Sequence, residues 1–368
     1  MIYESYDYLI IGAGMFGSVC ARELVNAGKK VLVIERRSHI GGNCYTEEMD
    51  GINVHMYGPH IFHTSSDEAW NYIRKFSEFN NFVYRPMVKH QDKLFSFPIN
   101  LLTLYQVYGV QTPEEAKNKL EQVRIPNTNP SNMEEYVLSV VGRDIYEIFI
   151  KGYTTKQWHR TPDKLPSDII KRLAIRTNFD TNYYRDKYQG IPIGGYTKIF
   201  EKMLSGIEVV LNVDYFEDRN FWDSKAKKII FTGQMDRFFD YKFGQLEYIN
   251  MKFEHERVNV PDYQGVAAIN YTSENVPYTR IVEHKHFEFK ETPSTIITRE
   301  YSLGVDTNSI EKYYPIGDIK NLTKYNEYKS LANQKTNVIF GGRLAEYKYY
   351  DMHQVITNAL NIIKKELS

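Results

Sequence analysis

Tyr6-Asp7-Tyr8-Leu9-Ile10-Ile11-Gly12-Ala13-Gly14-Met15-Phe16-Gly17 begins the tract whose reading decides the fold, and Val31-Leu32-Val33-Ile34-Glu35 closes it. A short apolar run feeds a G-x-G-x-x-G turn. Residues 18–27 then carry a helical pattern ended by Gly28, and a second apolar run follows. This is the layout of a βαβ unit with buried parallel strands. Gly12 permits the tight turn, Gly14 lets phosphates approach the backbone, and Gly17 lets helix and strand pack closely. The helix N-terminus supplies N–H donors and positive dipole. Glu35 stands where a ribose hydroxyl needs an acceptor. The tract predicts a dinucleotide held by its pyrophosphate.

Working outward, Arg36-Arg37 and then Gly41-Gly42-Asn43 place a second glycine turn close to that ligand, as in an extended FAD fingerprint. The remaining chain repeatedly breaks and resumes. Helical patterns occupy residues 67–79, 101–108, 112–123, 132–150 and 167–175, with short alternating segments over residues 82–97. Residues 196–204 read as a helix, and residues 207–211 and 228–231 as strands, which returns the chain to an α/β layer. Residues 246–253, 266–271, 278–283 and 295–299 read as strands without intervening helices, an antiparallel sheet in a layer of its own. Residues 337–340 form a last strand. Residues 352–367 form a helix with Val355, Ile356, Ala359, Leu360 and Ile363 on one face.

The expected fold class is therefore α/β: a discontinuous Rossmann-like FAD-binding domain (residues 1–80, 190–240 and 330–368) with a helical-bundle domain (98–185) and an antiparallel β-sheet domain (81–97 and 241–329). Such weaving is more typical of FAD proteins than of nicotinamide dehydrogenases.

Lys plus Arg and Asp plus Glu both number 46, so no net field favours nucleic acid or an anionic membrane. Any anionic ligand must be held by local arginines. Thirty tyrosines supply stacking surface with a polar tip. Cys20 and Cys44 are the only cysteines, and residues 1–4 lack the basic start of a secretory signal, which points to a reducing cytoplasm. No apolar run reaches the roughly 18 residues of a membrane span. His60 and His63 have a spacing that could suit a metal, but no carboxylate or cysteine cluster accompanies them, and no metal is expected. No Gly-x-Ser-x-Gly elbow or Cys/His pair appears. The chemistry is expected to be the cofactor's own.

Six tracts, in order, closely resemble bacterial UDP-galactopyranose mutases: Tyr57-Gly58-Pro59-His60-Ile61-Phe62-His63-Thr64; Gly152-Tyr153-Thr154 with Lys156-Gln157-Trp158; Gly194-Gly195-Tyr196-Thr197-Lys198; Pro277-Tyr278-Thr279-Arg280-Ile281-Val282-Glu283-His284; Tyr313-Tyr314-Pro315; and Gly341-Gly342-Arg343-Leu344-Ala345-Glu346-Tyr347-Lys348-Tyr349-Tyr350-Asp351-Met352. The resemblance implies a dimeric cytoplasmic flavoenzyme that interconverts UDP-galactopyranose and UDP-galactofuranose without net oxidation. N5 of the reduced FAD would attack the anomeric carbon as UDP departs, a nucleophilic catalysis run by a cofactor. It also implies roles. Arg172, on a mobile loop, and Arg280 would clamp the pyrophosphate, where a preorganised guanidinium favours the transition state. Tyr183, Tyr314 and Tyr349 would contact the diphosphate. Tyr153, Thr154 and Trp158 would line the uridine pocket, with Phe149, Asn270 and Tyr84 completing the substrate site. His63 would lie at the flavin. Gly12, Gly14, Phe16, Gly17, Glu35, Arg36, Gly42, Asn43, His60 and Ile61, then Gly342, Arg343, Tyr350, Asp351 and Met352, would hold the cofactor.

Three positions depart from the family pattern. His159 replaces a glycine after the tryptophan, Ile249 replaces an arginine, and Tyr84 replaces an asparagine placed near the sugar. A site built to bond a hydroxyl rejects a sugar lacking it by about 10⁴ or more, while an apolar site rejects an added hydroxyl by only about 10². Tyr84 therefore opens a 6-deoxy sugar, as in a dTDP-fucopyranose mutase, as an alternative substrate. An amine-oxidase-like flavin oxidoreductase and a non-catalytic dinucleotide-binding module share the N-terminal fingerprint and are the readings from other classes.

Overall fold

The structure is a computed structural model that describes residues 6–170, 175–305 and 311–368. Arg172, the reading of residues 1–4 and part of the helix expected over 167–175 lie outside the described residues. The chain forms two compact units.

The first unit comprises residues 6–81, Asp186–Tyr248 and residues 311–368. Five parallel strands form its sheet in the order Val338–Phe340, Ala226–Phe231, Tyr6–Ile11, Val31–Ile34, Glu208–Val210. Apolar residues on both strand faces give each side of the sheet its own core. Ile10, Val33 and Ile230 pack with Val19 and Leu24 of helix Met15–Asn26 and with Ile356, Ala359 and Ile363 of helix Met352–Leu367. Leu9, Leu32, Ile229 and Phe231 turn the other way, onto Tyr215 and Phe238. Each such buried side chain stabilises the fold by ~1.5–3 kcal/mol, so sheet and glycine turn form one rigid platform.

The second unit comprises Phe82–Arg185 and Ile249–Val305. Its helices Leu101–Tyr108, Pro113–Val123 and Met133–Ile145 start at Asn100, Thr112 and Asn132, each capping through its side-chain oxygen. A six-residue π segment, Tyr146–Lys151, leads into helix Gly152–Trp158. Leu104, Val137, Val141, Ile145 and Phe149 form the helical core. Within this unit the strands run in the order Tyr248–Val258, Thr295–Val305, Arg280–Glu283, Ala268–Tyr271, Met87–His90, Lys93–Ser96. One pairing is not antiparallel: Met87–His90 lies parallel to Ala268–Tyr271.

Several boundaries moved. The helix expected over 67–79 ends at Ile73. The strands expected over 246–253 and 295–299 run on to Val258 and Val305: the first continues through the polar stretch Glu254, His255, Glu256 and Arg257, and the second through Tyr301, Leu303 and Val305, which alternate but are not buried. Helix Ile319–Ala332 was not anticipated, since only Asn321, Tyr328 and Ala332 are buried along it.

Candidate active site

In the first unit, the glycine turn is shaped by close approach. Gly12 sits at φ +109°, and a Cβ on Gly17 would lie 2.0 Å from the Gly12 carbonyl oxygen. Only glycine fits there. Gly14 caps helix Met15–Asn26 with no side chain to bond its first N–H groups, which leaves them for an anion. The second glycine turn is tied to the first, the Gly41 N–H donating to Ala13 O at 2.8 Å, and a Cβ on Gly42 would come within 3.1 Å of the Gly14 Cα. These uncapped donors and bare backbones fit a pyrophosphate-bearing cofactor such as FAD.

Glu35, buried beneath the turn, accepts from the N–H groups of Ala13 (2.8 Å) and Arg37 (2.9 Å). The expected ribose acceptor thus also braces the turn. Arg36 and Arg37 both donate to Glu311, and Arg37 also donates to Asn43 Oδ1 at 3.0 Å. The returning C-terminal tract meets Phe16, whose ring occupies the space that a Cβ on Gly341 would need, at 2.1 Å. Gly342 beside it sits at φ +87°. Arg343 donates to Tyr313 O at 2.8 Å and lies over the ring of Tyr349, itself stacked on Tyr314 with centroids 5.9 Å apart. Tyr350 donates to Glu346 at 3.3 Å. The Asp351 N–H donates to Gln354 at 2.9 Å at the start of the last helix, which Met352 begins. Ile61 is buried.

The two histidines have separate environments. His60 Nδ1 pairs with Gly58 O at 2.8 Å, and burial pulls its pKa down to about 4, so it is neutral. His63 Nδ1 pairs with Asp186 Oδ2 at 2.7 Å, and Ser65 donates to the other carboxylate oxygen at 2.8 Å. The His63 ring also lies edge-on to His353, centroids 5.5 Å apart. Atoms of His63, Asp351 and His353 gather within 4.8 Å of one another, a spacing a metal ion could also use.

In the second unit, Arg280 is the hub. Its Nε donates to Asn270 Oδ1 at 2.9 Å and its Nη2 to the Tyr153 hydroxyl at 3.3 Å, while Nη1 lies 3.7 Å from Glu300 Oε2. Strand pairing sets this geometry, because Arg280 stands opposite both Asn270 and Glu300 in the sheet. Glu300 is buried, its Oε1 has no hydrogen-bond partner, and desolvation raises its pKa despite the guanidinium. Tyr84 is buried, its ring 5.4 Å from Tyr183 and 6.0 Å from Tyr184, and burial pushes its phenol pKa up. Tyr183 is exposed and its N–H donates to Tyr84 O at 2.9 Å. Thr154 is buried, Trp158 is half-buried against the helical core, and Phe149 packs on Phe95 and Phe97 inside that core.

The sequence reading missed Glu300, Asp186 and His353. Glu300 had a usable signal, since pairing residues 278–283 with residues 295 onward sets a carboxylate across from Arg280. Asp186 and His353 had none, because their partner His63 is distant in sequence. The three departures each have a local setting. His159 holds a left-handed φ of +51°, a conformation that favours glycine, and packs on Gly304 while bonding Ser302 O at 2.9 Å. Ile249 is fully buried in its strand. Tyr84 belongs to the tyrosine cluster.

The family described as UDP-galactopyranose mutase matches residues 148–349, over half of the chain, and a Rossmann-like NAD(P)-binding domain matches residues 10–76. The chain belongs to the UDP-galactopyranose mutase family. It is a flavin-dependent isomerase of that family. The dTDP-fucopyranose mutase of Escherichia coli is 38% identical over 96% of this chain and 96% of its own length. A probable UDP-galactopyranose mutase of Klebsiella pneumoniae is also 38% identical, over 98% and 95%. A crystal structure of reduced UDP-galactopyranose mutase shares the fold, with a TM-score of 0.76 over 99% of this chain and 94% of that one at 15% identity.

Proposed function

We propose that this mutase interconverts the pyranose and furanose forms of a nucleotide-linked galactose, with UDP-galactopyranose as substrate. The observation that carries the reading is Arg280, a guanidinium fixed at three corners by Asn270, Tyr153 and Glu300 beside a tyrosine cluster. When bound and reduced, FAD supplies the nucleophile for the anomeric carbon. The chain's part is electrostatic. Arg280 meets the charge that grows on the departing diphosphate, and because its partners already hold it, little reorganisation is needed as that charge develops. Arg172 is its proposed partner. Tyr183, Tyr314 and Tyr349 offer phenol hydroxyls to an anion, and Tyr153, Thr154 and Trp158 offer stacking and polar edges to a base. Glu300, buried with one unpartnered oxygen and a raised pKa, suits a group that accepts a substrate hydroxyl.

His63 takes the flavin-side position. Its Nδ1 pairs with Asp186, which fixes the orientation of the ring. The glycine turns, Phe16, Glu35, Arg36, Asn43 and the tract Gly342 to Met352 form the proposed cofactor cradle. Two buried free cysteines agree with a reducing, cytoplasmic setting, and no helix among the described residues is long and apolar enough to cross a membrane. A homodimer is the assembly proposed.

A second reading has its own observation. Tyr84 is buried beside Tyr183 and feels the Arg280 charge, so it offers an aromatic wall where a hydroxyl-bonding amide would suit a 6-hydroxyl. That favours a 6-deoxy sugar such as dTDP-fucopyranose. Comparing kcat/KM for UDP-galactofuranose and dTDP-fucofuranose, in the wild type and in Tyr84→Asn, separates the two. Preference for the deoxy sugar that Tyr84→Asn reverses selects the second reading. Preference for the galactose sugar in both proteins selects the first.

A further inference from the structure

The side chain of Lys156 enters a ring of backbone carbonyls. Its Nζ donates to the oxygens of Tyr271 (2.7 Å), Ser273 (3.0 Å), Val276 (3.0 Å) and Tyr278 (3.0 Å). Three N–H bonds thus serve four acceptors, Tyr271 at the end of strand Ala268–Tyr271 and three in the connection 272–279 that joins it to strand Arg280–Glu283. An ammonium half-buried this way loses much of its hydration, and burial draws its pKa down to about 8 against the opposing pull of the Glu274 charge. A lysine placed only for solubility would not be held there.

A second observation points to the same junction. Gly152, one turn earlier on the same helix, approaches the connection so closely that a Cβ would lie 2.0 Å from the Thr272 carbonyl oxygen. The helix carries Tyr153, and the two strands flanking the connection carry Asn270 and Arg280. Arg280 binds both. Helix and hairpin are therefore tied twice, once through the arginine and once through Lys156.

We infer that Lys156 is a positioning residue for the nucleotide-diphosphate site: it clips the turn 272–279 to helix Gly152–Trp158 and so sets the register between Tyr153 and the Asn270–Arg280 pair. Without the clip four carbonyls lose the ammonium, Ser273 O keeping only its bond from the Val276 N–H, the turn is free to shift against the helix, and the three groups that orient the guanidinium no longer converge. A misplacement of about 1 Å in such a site can cost about 10²-fold. The diphosphate part of this inference rests on the proposed function; the clip itself does not.

The test uses holoenzyme and three variants. Lys156→Met removes every donor, Lys156→Gln keeps two donor hydrogens on a shorter arm, and Val141→Ala truncates the core of the same helical region without touching the junction. UDP and dTDP are titrated calorimetrically, unfolding midpoints are recorded, and hydrogen exchange is followed across residues 271–280. The inference expects Lys156→Met to weaken nucleotide binding by about tenfold or more, with Lys156→Gln between it and the wild type, and to speed exchange across 271–280. Val141→Ala should change binding by less than about twofold even where its midpoint falls as far. Should Lys156→Met not fold, Lys156→Gln alone must show the weakened binding and the faster exchange. Unchanged exchange in the lysine variants, or affinity losses in all variants that merely track the midpoint, overturns it. Wild-type protein that binds neither nucleotide would instead strike the proposed function, and exchange across 271–280 would still decide the clip.

Discussion

Arg280 shows how a single residue becomes the hub of a side-chain cluster. Its charge is supplied by sequence, but its aim is supplied by strand pairing, which sets Asn270 on one side and Glu300 on the other. A lysine keeps the charge and loses the fork. Arg280→Lys should therefore lower kcat by about 10²-fold or more with flavin binding unchanged, as read by turnover and flavin absorbance. Equal turnover in the variant would mean that bidentate geometry is irrelevant. Glu300 gives a second residue-scale outcome. Its folded pKa is raised above the unfolded value of 4.5, so the native state holds the proton more tightly. The stability this contributes is complete below pH 4.5 and is lost as pH rises through the folded pKa. Glu300→Gln should raise the unfolding midpoint at pH 7, remove that loss and reduce turnover; a variant less stable than wild type at neutral pH would contradict the assignment. His63 behaved differently from Arg280 at the sequence level. It stands out within its motif, but Asp186, which holds it, does not, since a carboxylate 123 residues away has no local signature.

Elements were legible where their period was strong. The strand–glycine–helix–strand start, the helix Leu101–Tyr108 and the last helix Met352–Leu367 follow the apolar pattern closely, whereas Pro113–Val123, with only Ala116 buried, was legible from Pro113 and the acidic pair Glu114-Glu115 at its start. Legibility failed where burial is sparse or polar. Helix Ile319–Ala332 buries too few apolar side chains to show a stripe, and the outer half of Tyr248–Val258 runs through Glu254, His255, Glu256 and Arg257. The parallel pairing of Met87–His90 with Ala268–Tyr271 joins segments far apart in sequence, so no periodicity announces it. The glycine turn offers the sharpest element-scale outcome. Gly17→Ala places a methyl 2.0 Å from the Gly12 carbonyl oxygen, against backbone that cannot yield without moving the turn. Purified Gly17→Ala protein should retain far less flavin than wild type, by absorbance per chain, with a lower unfolding midpoint. Full flavin content would show that the close approach is not needed.

At the scale of the whole molecule, the chain leaves the dinucleotide-binding unit, builds a second unit of helices and sheet, and returns to it twice. Each unit buries a neutral histidine, and this gives the protein a common acid response. His60 and His284 have pKa values drawn down by burial to about 4 and about 3, from 6.5. The unfolded chain takes up these protons first as pH falls, so the stability contributed by the two histidines is complete above about pH 6.5 and declines progressively toward pH 4 and below. Urea unfolding at stepped pH should show that decline, and His284→Gln should flatten part of it. A stability independent of pH between 6.5 and 4 would contradict the buried neutral state. The central claim concerns chemistry without net oxidation. Its most direct measurement incubates the enzyme, oxidised and dithionite-reduced, with UDP-galactofuranose and with dTDP-fucofuranose, and counts pyranose product against reductant consumed. The account predicts many turnovers of at least one sugar by the reduced enzyme, none by the oxidised enzyme, and no reductant consumed per turnover. Failure to convert either sugar, or one equivalent of reductant spent per product, would contradict it.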